Sequence, residues 1–204
     1  EIYQGDWSSE VCSSDLLRGW RPEMRVYEVR EEDGSPLGLF LIDPFQRDTK
    51  QGGAWMDTVV PGSPLFGTKP VVYNVLNIAP PAPGQPALAT DDDVITLFHE
   101  FGHALHGLFA AGGYPRVAST TDARDFVEFP SQFNEHWAFE PSVLAHYAKH
   151  WKTGAAMPPA LAAKIVAAGK FDKAFDTASA LAAMQLDMKA HVRSEEHTSE
   201  LQSH

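Results

Sequence analysis

The 204 residues are 44% hydrophobic and 21% charged, and no run of 18 apolar residues occurs, so a membrane-spanning helix is excluded. Sixteen basic against 27 acidic residues give a net charge of −11, and no Lys/Arg cluster stands out, which argues against a nucleic-acid partner. One cysteine cannot make an internal disulfide, so a disulfide scaffold is excluded too.

The two ends stand apart. Arg193-Ser-Glu-Glu-His-Thr-Ser-Glu-Leu-Gln-Ser203 resembles a translated short-read sequencing adapter. Asp6–Leu16 resembles the same adapter read on the opposite strand, with Glu10 as the departure. Residues 1–16 and 193–204 are therefore expected to be adapter-derived and non-native. The first holds four acids and no base and the second three acids and one base, so Leu17–Val192 keeps 20 acids and 15 bases, a net −5. Cys12 falls in the excluded part and says nothing about redox compartment. The native N-terminus, with any signal peptide, is expected to be missing.

From Arg25 to Asn77 the pattern predicts strands. Arg25–Arg30 alternates, Glu32-Asp-Gly-Ser-Pro36 is a turn cluster, and Leu37–Ile42 is an apolar run that should complete a hairpin. Gly53–Val60 and Val71–Leu76 read as two more strands around the Pro- and Gly-rich Pro61–Pro70. A small sheet of about four strands follows, antiparallel at least in its first pair. Gly53–Asp57 reads either as an edge strand that pairs with a substrate backbone or as an interior strand.

Pro80-Pro-Ala-Pro-Gly-Gln-Pro86 is a rigid spacer that ends the β region. Thr90 with Asp93 makes an approximate capping box, and a helix should run to about Phe109. Gly112 and Gly113 open a loop to about Thr121, and a helix over Arg124–Phe139 contains the awkward Pro130. Pro141 to Gly154, Pro158 to Gly169 and Phe171–Ala190 give three more helices. The last carries Phe171, Phe175, Ala178, Leu181, Ala182 and Met188 on one face, a stripe that reads as core packing. The class is α+β and mostly helical.

Chemistry concentrates in Thr96-Leu-Phe-His-Glu-Phe-Gly-His-Ala-Leu-His-Gly107. His99 and His103, four apart on a helix, sit about 40° apart around its axis and one turn apart along it. Two imidazoles so placed can meet one Zn²⁺. Glu100 follows the first of them, where its carboxylate can reach a water at the metal without ligating. Apolar Leu97, Phe98, Phe101, Leu105 and Leu108 should bury this helix. A third ligand should be a His or carboxylate on a neighbouring element. The metzincin spacing fails because position 109 is Phe. Glu128 in Asp125-Phe-Val-Glu-Phe-Pro-Ser-Gln132 remains, with Asp125 on the same helical face and Phe126, Val127 and Phe129 suggesting a buried turn.

His-Glu-Phe-Gly-His at 99–103 together with Asp-Phe-Val-Glu-Phe-Pro-Ser-Gln at 125–132 resembles the thimet-oligopeptidase-type zinc metallopeptidases, and within them the bacterial peptidyl-dipeptidases. Gly-Gly-Ala-Trp-Met-Asp at 52–57, Gly-Thr-Lys-Pro-Val-Val at 67–72 and Ala-Pro-Gly-Gln-Pro-Ala-Leu at 82–88 fit the same group. The resemblance covers essentially all of Leu17–Val192. It implies a zincin-type catalytic core, with His99, His103 and Glu128 as ligands of one Zn²⁺ and Glu100 as catalytic base. It also implies short peptide substrates, a cytoplasmic setting and a monomer, with no nucleic-acid or membrane partner. Two departures stand out: Ser119-Thr120 where the family has Gly-Thr, and Ala123 where proline is common. The family's oxyanion-stabilising tyrosine segment should lie downstream of Val192, so this chain alone is expected to be inactive.

Release of C-terminal dipeptides is the expected reaction. Endo-acting oligopeptidase activity is the alternative within the family, and a non-catalytic zinc-stabilised peptide-binding module is the alternative outside it. Glu100 argues against the latter, because a structural site has no use for a base beside its first ligand. No Gly-x-Ser-x-Gly elbow supports a serine nucleophile. Asp125 and His106 are candidates for support around the ligands, Asp125 by orienting an imidazole through its other N–H. His136 and His191 have no partner readable from the sequence.

Overall fold

A computed structural model describes residues 12–13, 19–110, 114, 116 and 120–192. Gly112, Gly113, Ser119 and the adapter-like tail lie outside the described residues. Two compact units result, one ending at Met157 and the other beginning at Pro158.

The first unit opens with a five-stranded sheet: β1 (Cys12–Ser13), β2 (Arg25–Arg30), β3 (Pro36–Phe45), β4 (Trp55–Val60) and β5 (Val71–Ile78), in the order β1-β2-β3-β5-β4. The two-residue β1 lies in the segment with adapter likeness. β2 and β3 form the expected antiparallel hairpin, with Val26 opposite Leu41. At its turn Gly34 takes φ +79°, and the Ser35 N–H donates to the Asp33 carboxylate over 2.8 Å. β5 then inserts between β3 and β4, parallel to β3 and antiparallel to β4. The sheet is therefore mixed, with β4 as one of its two outer strands.

Helix α1 (Asp91–Phe109) covers one face of this sheet. Its capping box is complete, with the Asp93 N–H donating to Thr90 Oγ1 over 3.1 Å and the Thr90 N–H to Asp93 Oδ2 over 2.9 Å. Phe40, Val72, Ala104 and Leu108 form the central core, flanked by Tyr27, Ile42, Met56 and Phe101. Small Ala104 sits within this core on the buried side of α1.

Beyond α1 the expected helix over 124–139 resolves into three pieces. Residues 124–128 are turns, α2 spans Phe129–Glu135, and a single 3₁₀ turn follows over His136–Phe139. Pro130 explains the break, because it sits in the first turn of α2, where its missing N–H costs nothing. Helix α3 (Pro141–Tyr147) stops short of Gly154, since the chain doubles back through a bridge between Lys149 and Ala156.

The second unit holds α4 (Pro159–Ala168) and α5 (Lys173–Val192). Neither helix buries a residue, and the stripe from Phe171 to Met188, expected as core, is exposed. No helix among the described residues is long and apolar enough to cross a membrane.

One ionic knot fastens the sheet. Asp43, 2% exposed at the end of β3, receives Lys50 Nζ at 3.1 Å, both Arg47 terminal nitrogens at 2.8 and 2.9 Å, and Trp20 Nε1 at 3.2 Å. Lys50 also donates to the carbonyls of Asp43, Phe45 and Leu76, joining β3 to β5. Burial pushes the Asp43 carboxyl up, but the hydrogen bonds from Arg47, Lys50 and Trp20 outweigh it and hold the group below its ordinary range. Its stabilisation is therefore complete above about pH 4 and is lost as pH falls through the lowered native value. Lys50→Met should leave a buried carboxylate undercompensated and cost about 3–5 kcal/mol in urea unfolding at pH 7. A loss within about 1 kcal/mol, as for a surface pair, would show that the knot does not hold the sheet.

Candidate metal centre

α1 presents different faces to its two neighbours. Leu97, Glu100, Ala104 and Leu108 form the stripe that is buried on the sheet side. His99, Gly102 and His103 turn instead toward α2, where Gly102 is the point of closest approach. A Cβ on Gly102 would lie 2.7 Å from Ser131 Cα, 2.8 Å from the Pro130 carbonyl oxygen and 2.9 Å from Asn134 Cβ. No side chain fits there. Asn134 Nδ2 adds a 2.6 Å hydrogen bond to the Phe98 carbonyl, and Ser131 is fully buried in the joint.

This contact delivers Glu128, the residue just before α2, to the two histidines. Glu128 Oε2 lies 3.2 Å from His99 Nε2 and 3.1 Å from His103 Nε2. Ser131 Oγ donates to the same oxygen over 2.9 Å and fixes the carboxylate. One ligand atom from each of the three residues lies within 4.8 Å of the others. The imidazole rings stand almost perpendicular, with centroids 5.0 Å apart.

The donor chemistry tests whether a metal fits. His99 Nδ1 is 2.7 Å from Glu135 Oε1, so a neutral His99 that donates its Nδ1–H to Glu135 carries a lone pair on Nε2. That lone pair then faces the Glu128 carboxylate, acceptor against acceptor. A cation or a proton between its members relieves that repulsion. Donor atoms on one tetrahedral zinc, each 2.0–2.1 Å from it, lie about 3.3 Å apart, close to the spacing of Glu128 from each imidazole. The set fits zinc.

Glu100, 6% exposed, has an Oε2 without any hydrogen-bond partner. Burial raises its pKa above the ordinary carboxylate value, and the Glu128 charge adds to this. His99 and the Met56 backbone amide of β4 pull the other way. Burial also pushes the His103 imidazole down, so it is readily neutral and able to ligate, despite the opposing pull of Glu128. Glu128 itself is held below its ordinary value: burial, the largest influence, raises it, and the Ser131 hydroxyl with the two histidines more than reverses that.

The supporting residues fall differently from the sequence reading. Asp125 is exposed and bonded to neither imidazole; the carboxylate on His99 belongs to Glu135. Glu135 follows Glu128 by seven residues, two helical turns, and that spacing is the signal in the sequence that points to it. His106 pairs through Nε2 with Asp122 at 2.9 Å and meets the edge of Phe126, so it anchors the turn leading to Glu128. The expected burial of that turn does not hold, since Phe126 and Phe129 are 49% and 62% exposed and stack on one another in the open.

Comparisons with known proteins agree with this arrangement of motifs. Residues 9–203 match the family model described as Peptidase family M3. The chain is 52% identical over 172 residues to dipeptidyl carboxypeptidase of Escherichia coli, covering 84% of this chain and 25% of that protein. It is 42% identical over 159 residues to oligopeptidase A of Salmonella typhimurium, covering 76% and 23%. It is 36% identical over 182 residues to the organellar oligopeptidase A of Arabidopsis thaliana, covering 85% and 23%. The chain thus spans about a quarter of the length of these curated relatives.

If the bare backbone at Gly102 sets the distance between the histidines and Glu128, Gly102→Ala should force α2 outward. The expected cost is about 1–3 kcal/mol of stability, as for other overpacked sites. A crystal structure of the variant should show longer Glu128–His99 and Glu128–His103 separations. Wild-type stability with unchanged separations would refute the constraint.

Proposed function

The chain belongs to peptidase family M3, and from that premise we propose that it is part of a zinc metallopeptidase that hydrolyses short peptides. The observation that carries the reading is the convergence of His99, His103 and Glu128 beside a buried carboxylate, Glu100, with a free oxygen. His99, His103 and Glu128 would hold Zn²⁺, one per chain. When bound, zinc supplies a Lewis acid and makes water acidic near neutral pH.

The remaining steps fall to this chain's own side chains. Glu100 Oε2 takes the proton from the attacking water and passes it to the leaving amine. Burial raises its pKa above the ordinary carboxylate value, which favours holding the proton between the two transfers. β4 is an outer strand, and its Met56 amide acts on Glu100. An extended peptide added along this edge would lie beside the base.

Removal of C-terminal dipeptides is the favoured specificity, on the higher identity to a protein named dipeptidyl carboxypeptidase than to oligopeptidase A. Oligopeptidase cleavage is the second reading, favoured by the organellar relative. Turnover is assigned to the longer protein of which this chain matches a quarter. Catalysis also needs donors for the developing oxyanion, and losing one such donor costs about 10²–10³ in rate.

Two substitutions separate the roles. His103→Ala should abolish zinc uptake by the folded 204-residue chain, measured by metal analysis after desalting. In the full-length enzyme, Glu100→Gln should retain zinc while peptide hydrolysis falls by about 10² or more. Equal zinc in wild type and His103→Ala would sink the ligand assignment. Normal hydrolysis by Glu100→Gln would remove Glu100 as base.

A further inference from the structure

His99 is held from both sides by the segment that carries Glu128. Nε2 faces Glu128 across 3.2 Å, and Nδ1 faces Glu135 across 2.7 Å. The two carboxylates reach one imidazole because they sit seven residues apart, at the start and end of α2. Their position is not left to long side chains alone. The joint at Gly102 and the Asn134–Phe98 hydrogen bond clamp the backbone of α2 against α1 within a residue of Glu135.

Among the described residues His103 has no equivalent carboxylate. Its Nδ1 is buried without a hydrogen-bond partner among the described residues. Of the two imidazoles, His99 is the one with a carboxylate on its second ring nitrogen among the described residues.

We propose that Glu135 is the positioning residue for His99. Its carboxylate accepts the Nδ1–H, selects the tautomer with the lone pair on Nε2, and fixes the ring plane so that this lone pair points at the position shared with His103 and Glu128. This role rests on the reading of that triplet as a zinc site. A plain ion pair between helices would act differently. It would stabilise the fold with or without metal and would leave metal affinity alone.

The test is zinc affinity of the complete 204-residue chain, measured by competition with a chromophoric chelator. Thermal unfolding of the metal-free proteins is recorded alongside. Glu135→Ala should weaken zinc binding about 10–100-fold, the usual penalty for losing such a carboxylate. Glu135→Gln keeps the size and an acceptor oxygen but loses the charge, and should fall between Glu135→Ala and wild type. His103→Ala should bind no zinc at the site. If Glu135→Ala does not fold, Glu135→Gln decides the matter, with an affinity below wild type expected. Wild-type affinity in the folded Glu135 variants, with His103→Ala still losing the metal, would overturn the positioning role and spare the site. Absence of zinc binding by wild type would overturn both.

Discussion

The separation between α1 and α2 is set by the absence of one atom. A Cβ at Gly102 would fall 2.7 Å from a backbone carbon of α2, and backbone cannot move aside as a flexible side chain can. Everything at the candidate centre follows from that approach. It brings Glu128 within 3.2 Å of both imidazoles, buries Ser131 where its hydroxyl can hold the Glu128 carboxylate, and places Glu135 on the far side of His99. The glycine inside the His-Glu-Phe-Gly-His run is thus a packing requirement that acts on the ligands either side of it.

Electrostatics completes what packing begins. The sheet side of α1 removes Glu100 from water and leaves one of its oxygens unbonded. The α2 side gathers acceptors that repel one another unless a cation or proton lies among them. These two faces of a single helix set a base and a ligand cluster side by side, with the base itself excluded from the cluster. Within the sheet, the Asp43–Lys50 knot keeps the ends of β3 and β5 together, and so holds the sheet on which α1 rests.

Much of this is legible in the residues. Thr90 and Asp93 mark the start of α1, and alternation alone places β2 over Arg25–Arg30. Four-residue spacing puts His99 and His103 on a common side because α1 is regular throughout. Legibility ends where regularity does. Pairing Asp125 with Glu128 assumes one continuous helix, but α2 begins only at Phe129, so the i−3 rule does not apply across residues that form turns. Glu135, in the last turn of α2, is the carboxylate that meets His99 from the other side. Likewise, the parallel pairing of β3 with β5 depends on a later strand slipping between earlier ones, which no local pattern encodes. The apolar stripe of α5 is legible as a stripe, yet what covers it is a tertiary matter, and among the described residues it stays exposed.

The central claim is that three side chains from two elements share one metal ion. Crystals of the 204-residue chain grown with Zn²⁺ and recorded on both sides of the zinc absorption edge test it most directly. The account predicts one strong anomalous peak, within about 2.0–2.2 Å of His99 Nε2, His103 Nε2 and a Glu128 carboxylate oxygen. A structure with these three residues ordered and the zinc peak elsewhere, or with no peak at all, would contradict it.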